Sequence, residues 1–200
     1  EEIKYYITFI NMADFNYKDI GLKEYKSCWD YQEELLSEIT EEKKKLGVPS
    51  AKNYFILVEH PHVYTLGKSG NDKNLLANEE FLKKIDATFY KINRGGDITY
   101  HGPGQIVGYP IMDLEYYKLG VRQYIEKVEM AITELLNSFG ISGSHKEGAT
   151  GVWIDPENPV KARKICAIGV RVSRYVTMHG FALNVNTDLK YFSYINPCGM

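Results

Sequence analysis

Long apolar runs are missing from this 200-residue sequence: the longest, such as Tyr54 to Val58, fall far short of the roughly 20 residues needed to cross a bilayer. No basic start, apolar middle and small-residue cleavage site opens the chain, so neither a membrane-spanning nor an exported protein is expected. Charge of one sign is also scarce. The formal net charge of -2 excludes the strongly basic footprint of a general nucleic-acid binder. Cysteine is limited to Cys28, Cys166 and Cys198, an odd set without CxxC spacing. That argues against a disulfide scaffold or a zinc ribbon and fits a reducing cytoplasm. His60 and His62 have no third and fourth ligand at a recognisable spacing, so a strand-end turn is expected there and no metal. Repeats, low-complexity tracts and linkers are absent too, which leaves one domain over residues 1–200 as the default.

What is present is ordinary globular composition, 44% hydrophobic and 25% charged. The start at Glu1 and the stop at Met200 predict that the chain is the ordered part of a longer polypeptide. Ile3 to Ile10 reads as a first strand. Leu22, Tyr25, Trp29, Leu36 and Ile39 recur at helical spacing, with a stop near Gly47 and Pro49. Tyr54 to Val58 reads as a strand buried on both faces, and a second strand follows over Val63 to Leu66. Asn78 caps a short helix carrying Phe81, Leu82 and Ile85, and Ala87 to Ile92 is again strand-like. Strand pattern returns at Ile106 to Met112. Val121, Tyr124, Ile125, Val128, Ile132, Leu135 and Phe139 make a sustained helical stripe closed by Gly140. Gly151 to Ile154, Ile165 to Val172 and Phe181 to Val185 complete the strands. A few helices among many strands predict an α+β fold, a mixed β-sheet core packed by helices.

The segment Arg94-Gly95-Gly96-Asp97-Ile98-Thr99-Tyr100-His101-Gly102-Pro103-Gly104-Gln105 combines glycines that let backbone approach a ligand with Arg, Thr, Tyr and His as polar contacts. It lacks the Gly-Lys-Ser/Thr of a phosphate loop and the Gly-x-Gly-x-x-Gly of dinucleotide folds. Composition alone leaves a binding loop and a plain glycine-rich turn equally open. Cys198, in Asn196-Pro197-Cys198-Gly199, stands outside any apolar stripe, which leaves its thiol free to react. To attack a thioester it must lose a proton, which requires a nearby base or positive charge, and an isolated cysteine is otherwise structural. Lys164, at the margin of the apolar run Ile165 to Val170, reads either as a desolvated base or as a surface lysine beside Lys161 and Arg163. Cys166 is a rival nucleophile, but it and Cys28 have apolar neighbours that favour core roles. His179 to Asn186 reads as a core strand unless a cleft lies beside it.

Taken together, Arg94 to Gln105, Lys164 to Val170, His179 to Leu189 and Pro197-Cys198-Gly199, with Glu59-His60-Pro61, Tyr64-Thr65-Leu66-Gly67 and Gly151-Val152-Trp153, resemble the lipoyl/octanoyl transferase family of lipoate biosynthesis. The resemblance implies a fold similar to the catalytic modules of biotin and lipoate protein ligases. It also implies transfer of octanoyl from acyl carrier protein to a lysine of lipoyl domains, in 2-oxoacid dehydrogenase complexes and the glycine cleavage H protein. Cys198 stands where the family's acyl-thioester cysteine stands, and Lys164 matches the lysine that lowers the thiol pKa and shuttles protons. The family's acyl-binding segments fall on Arg94, Gly95, Gly96, Asp97, Ile98, Thr99, Tyr100 and His101, on Ala167, Ile168 and Gly169, and on Gly180, Phe181 and Ala182. No cofactor is implied. Cys166 departs from the family's usual small residue without a thiol. Lys161, Arg163, Arg171 and Arg174 are candidates for docking an acidic carrier. An ATP-dependent lipoate or biotin protein ligase on the same fold is the main alternative. A non-catalytic binding module and a cysteine thioesterase are further ones.

Overall fold

The computed structural model describes residues 15–196. The strand expected at Ile3 to Ile10 and the turn holding Cys198 lie outside the described residues.

Helix α1 (Tyr25–Leu46) starts where the Glu24 carboxylate accepts hydrogen bonds from the Lys26 and Ser27 amides. It stops where Gly47 takes a left-handed φ of 69° and donates its amide to Lys43 O. A glycine meets that conformation without Cβ strain. Its buried positions, Tyr25, Cys28, Gln32, Leu35, Leu36, Ile39 and Thr40, form one stripe. That stripe packs on a large sheet ordered β1-β2-β6-β9-β8-β7. The strands are β1 (Phe15–Leu22), β2 (Asn53–Glu59), β6 (Gln105–Met112), β7 (Val152–Ile154), β8 (Arg163–Ser173) and β9 (Val176–Asn184). The sheet is mixed: β1 runs parallel to β2 and the other pairings are antiparallel. A second sheet, β4-β3-β5, is built from β3 (Val63–Leu66), β4 (Thr88–Lys91) and β5 (Ile98–His101).

Helix α2 (Glu79–Lys84) is capped by the Asn78 side chain and packs Leu82 on the small sheet. Helix α3 (Val121–Ser138) covers the other face of the large sheet, where Ile132 and Leu136 meet Val152, Cys166 and Leu183. The α+β architecture expected from the sequence is present.

Four local expectations are corrected. Leu22 belongs to β1, a strand the periodicity did not reveal, and is 62% exposed. The run from Arg94 to Gln105 is not wholly loop, since Ile98–His101 pairs with β3. The stripe of α3 follows the four-residue repeat Tyr124, Val128, Ile132, Leu136, so Leu135 and Phe139 face outward, Phe139 at 74% exposure. Strand β9 starts five residues earlier than the apolar run at Phe181 suggests, because Val176 to Gly180 is paired with β8.

Candidate active site

The cleft lies where the small sheet's β5 and the glycine loop meet the centre of the large sheet. Antiparallel pairing sets Gly169 opposite Gly180 and Ala167 opposite Ala182, and Val107 of β6 is also paired with Ala182. Paired residues share a sheet face, so this row of small side chains makes a low floor. A cleft of about 50 Å³ opens there, lined by Tyr25, Arg94, Thr99, His101, Val107, Tyr109, Ala167, Ile168, Gly169, His179, Gly180, Phe181 and Ala182. Its walls come from α1, the glycine loop, β5, β6, β8 and β9.

Nine of the expected substrate-binding residues are in that lining: Arg94, Thr99, His101, Ala167, Ile168, Gly169, Gly180, Phe181 and Ala182. Gly95, Gly96, Asp97, Ile98 and Tyr100 are not. Strand alternation explains two of these, since Thr99 and His101 face the cleft while Ile98 and Tyr100 face the small sheet's core. Tyr100 is fully buried, in hydrogen-bond contact with His62 Nδ1 at 2.7 Å and stacked on Tyr191 at 5.0 Å, away from any cleft mouth. Gly95 is spent on scaffold, its amide donating to Val170 O of β8 at 3.0 Å, so that N–H is not available to an oxyanion. Gly96 has φ 86°. The Asp97 carboxylate accepts from Asn74 Nδ2 and from the Ile98 amide. The Arg94 guanidinium donates to Gly95 O, Asp97 O and Thr65 O, bracing the loop from within.

Sequence reading passed over Tyr25, Val107 and Tyr109, and read His179 as core. Tyr25 came to light only as one member of a helical stripe, and β6 looked like a plain strand.

Two buried histidines, His101 and His179, line the cleft, a third, His60, packs against His101, and their partners define their tautomers. Gln105 Nε2 donates to Asn184 Oδ1 and Tyr100 O, so Gln105 Oε1 is left to accept from His101 Nδ1 at 2.8 Å. His101 Nε2 therefore carries the lone pair. His60 Nδ1 donates to Lys23 O, and its Nε2 accepts from the Tyr109 hydroxyl at 2.9 Å. Asn93 Nδ2 donates to Glu33, leaving Asn93 Oδ1 to accept from His179 Nε2 at 3.0 Å. His179 Nδ1 is buried without a hydrogen-bond partner among the described residues, and the residue holds a left-handed φ of 61°. Burial, the largest cause in each case, pushes His60 down to about 4 and His101 and His179 to about 3. Charge repulsion adds to this, from His60 on His101 and from Arg94 and Arg171 on His179. All three are neutral at pH 7. The cleft is thus narrow and floored by small apolar groups, with the neutral imidazoles of His101 and His179 and the Arg94 guanidinium in its walls, and the floor suits a slender apolar chain.

Lys164 is half-buried at the start of β8, three residues and roughly 10 Å along the strand from Ala167. Its ammonium lies 4.9 Å from the centre of the Trp153 ring. Cys198 is outside the described residues. The described chain ends at Asn196, whose amide donates to Asn74 O, and the Asn74 side chain in turn donates to Asp97 of the glycine loop. Cys166 and Cys28 are buried, and burial raises both thiols to about 12, so neither is a ready nucleophile. Arg163 pairs with Asp155 and Arg171 with Glu33, at positions eight residues and about 26 Å apart along β8. Lys161, Arg163, Arg171 and Arg174 are thus spread along β8 and the segments at its two ends. A larger groove of about 1280 Å³ runs between α3 and residues 144–150, but it lacks the converging buried polar groups of the smaller cleft.

The lipoyl protein ligase A/B catalytic domain family matches residues 24–200, which gives the class of the molecule. Octanoyltransferases stand among its relatives. That of Christiangramia forsetii is 55% identical over 188 residues, spanning 92% of this chain and 80% of the relative. That of Parabacteroides distasonis is 55% identical, spanning 94% and 84%. The chain belongs to the lipoyl/octanoyl transferase family and is an acyltransferase. In fold it is similar to the P. falciparum LipL1 structure in complex with lipoate, with a TM-score of 0.63, 14% identity and coverage of 89% of this chain and 51% of that one. It is similar also to a putative lipoate protein ligase from T. acidophilum with bound lipoic acid, with a TM-score of 0.61, 15% identity and coverage of 90% and 71%.

Proposed function

We propose that this chain is a single catalytic module that moves an octanoyl group from octanoyl-acyl carrier protein to a lysine of lipoyl domains, through a thioester on Cys198. The observation that carries the reading is the narrow cleft, floored by small residues, that starts about three residues along β8 from Lys164. Each methylene removed from water contributes about 0.8 kcal/mol, so the cleft of about 50 Å³ binds the part of an acyl chain that it encloses and an eight-carbon chain extends beyond it.

In the first half, Lys164 takes the proton of the Cys198 thiol and the thiolate attacks the thioester carbonyl. The carbon–sulfur bond to the carrier breaks, and the carrier thiol leaves with a proton. In the second half, the acceptor lysine has an ordinary pKa near 10.4 and must lose a proton to attack, and Lys164 is the base that receives it. The amide forms as the bond to Cys198 breaks, and the second proton of the amine passes to the Cys198 sulfur, which restores the thiol. One thioester replaces another in the first half, so no ATP and no cofactor is needed. The acceptors are lipoyl domains of 2-oxoacid dehydrogenase complexes and the glycine cleavage H protein, and the compartment is the cytoplasm. No helix among the described residues is long and apolar enough to cross a membrane.

The likeness in fold to a lipoate-protein ligase bound with ATP, of which this chain covers 58%, keeps an ATP-dependent ligase as the second reading. Incubation with octanoyl carrier and an unmodified lipoyl domain, with and without ATP, separates the two. Acylation of the domain without ATP, with one octanoyl mass added at Cys198, is expected. Transfer that needs ATP, or that proceeds at full rate in Cys198→Ser, refutes the thioester route.

A further inference from the structure

Trp153 is the point where two lysines from distant segments converge. Its indole is 7% exposed and is held on two sides: the backbone pairs both ways with Ser144, and Nε1 donates to Ala149 O at 2.8 Å. In the β7–β8 pairing Trp153 stands opposite Lys164. The Lys164 ammonium sits 4.9 Å from the ring centre and that of Lys146 sits 4.8 Å away, so the two charges are at most about 10 Å apart, around one Debye length. A Cβ on Gly151 would come within 3.3 Å of the Lys164 stem, so the absent side chain leaves the path along which that stem runs. Gly151 is in turn tied to α3 by its amide, which donates to Glu129.

A ring pinned at its edge and backbone does not follow the lysines; the lysines follow the ring. Indole is the strongest aromatic partner for an ammonium. We propose that Trp153 is a positioning residue that holds the Lys164 ammonium at the end of β8, with Lys146 of the 144–150 loop competing for the same ring. The inference rests on the role proposed for Lys164 and adds the device that places it. The indole favours the protonated amine, while the second ammonium opposes it, so the pair keeps Lys164 both located and able to give up its proton. Other charged or titratable groups stand on the neighbouring elements: Arg163 beside Lys164 on β8, paired with Asp155, then Glu129 of α3, His145 and Glu147 on either side of Lys146, and Cys166 of β8.

Two measurements test this on the full chain. Lysines are reductively methylated with a ¹³C label, and the Lys164 resonance is assigned with Lys164→Arg. An upfield ring-current shift is expected, kept in Trp153→Phe and lost in Trp153→Leu. A Lys164 resonance without that shift, or one that Trp153→Leu leaves in place, overturns the proposal whether or not the enzyme transfers octanoyl. In the transfer assay, Trp153→Leu should lower kcat about tenfold with little change in KM, and Trp153→Phe should restore most of it. Lys146→Met removes a like charge and should raise the acid limb of the pH–rate profile by about half a unit. An unmoved limb in an active Lys146→Met enzyme refutes the competition. Absence of transfer by the unaltered chain refutes the proposed function instead, and the resonance still decides the positioning.

Discussion

Acid should unfold this protein through its three buried histidines. In the unfolded chain each titrates near 6.5, whereas in the fold His60 is pushed down to about 4 and His101 and His179 to about 3. Below pH 6.5 the unfolded chain therefore binds protons that the folded chain refuses, so stability is complete above that pH and falls as pH drops toward the folded values. Each group removes about 1.4 kcal/mol per pH unit, so the three together take away about 6 kcal/mol by pH 5. A typical domain has about 5–15 kcal/mol in all, so a loss of this size takes up a large part of it and brings acid unfolding within reach below about pH 5. The pressure is real because the three side chains are 6% exposed or less, and His60 and His101 rings stand 5.9 Å apart, so charging one raises the cost of charging the other. Urea unfolding at a series of pH values from 7.5 to about 4.5 measures the slope directly, about 4 kcal/mol per pH unit between 6 and 5 for the unaltered chain. His179→Gln should lower that slope by about a third, because one of three titrating groups is gone. A stability that stays level between pH 6.5 and 5 would refute the reasoning.

Gly169→Ala would set a Cβ 2.9 Å from the Arg94 Cδ and Nη1 atoms, so Arg94 must shift from the carbonyls it braces. A loss of about 1–3 kcal/mol in thermal unfolding and weaker acyl loading by intact mass are expected. Asp113 is fully buried and accepts from Lys43, the Ser50 amide and the Glu115 amide. Asp113→Ala should cost about 3–5 kcal/mol in urea unfolding, since it strands those donors. Thiol titration with Ellman's reagent should label Cys198 in the folded protein, with Cys28 and Cys166 reacting only after denaturation, because burial raises both of those thiols to about 12.

Much of the fold was legible along the chain. The stop at Gly47, the Asn78 cap, the break at His60 to His62 and the strand runs of β2, β3 and β6 are local signals: a φ, a side chain reaching its own backbone, or a short run of apolar residues. So was the order of motifs that marks the family. Errors arose where local and long-range signals diverge. Phe139 fits a helical stripe by spacing but reaches solvent, because the sheet meets α3 on the face of Ile132 and Leu136.

By itself, then, the sequence determined which residue types are available for acyl transfer and which segments are helix or strand, because those depend on neighbours within a few positions. Tertiary structure decided which of the family segments' residues line the cleft. Thr99 and His101 face it while Tyr100 does not, and Tyr25 and Tyr109 join from α1 and β6. It also decided that three histidines are neutral and that Lys164 rests on Trp153. Burial, tautomer and ring contact are properties of groups that only the folded chain sets side by side, such as His60 with Tyr109 and His179 with Asn93, and nothing in the chain's local order states them before it folds.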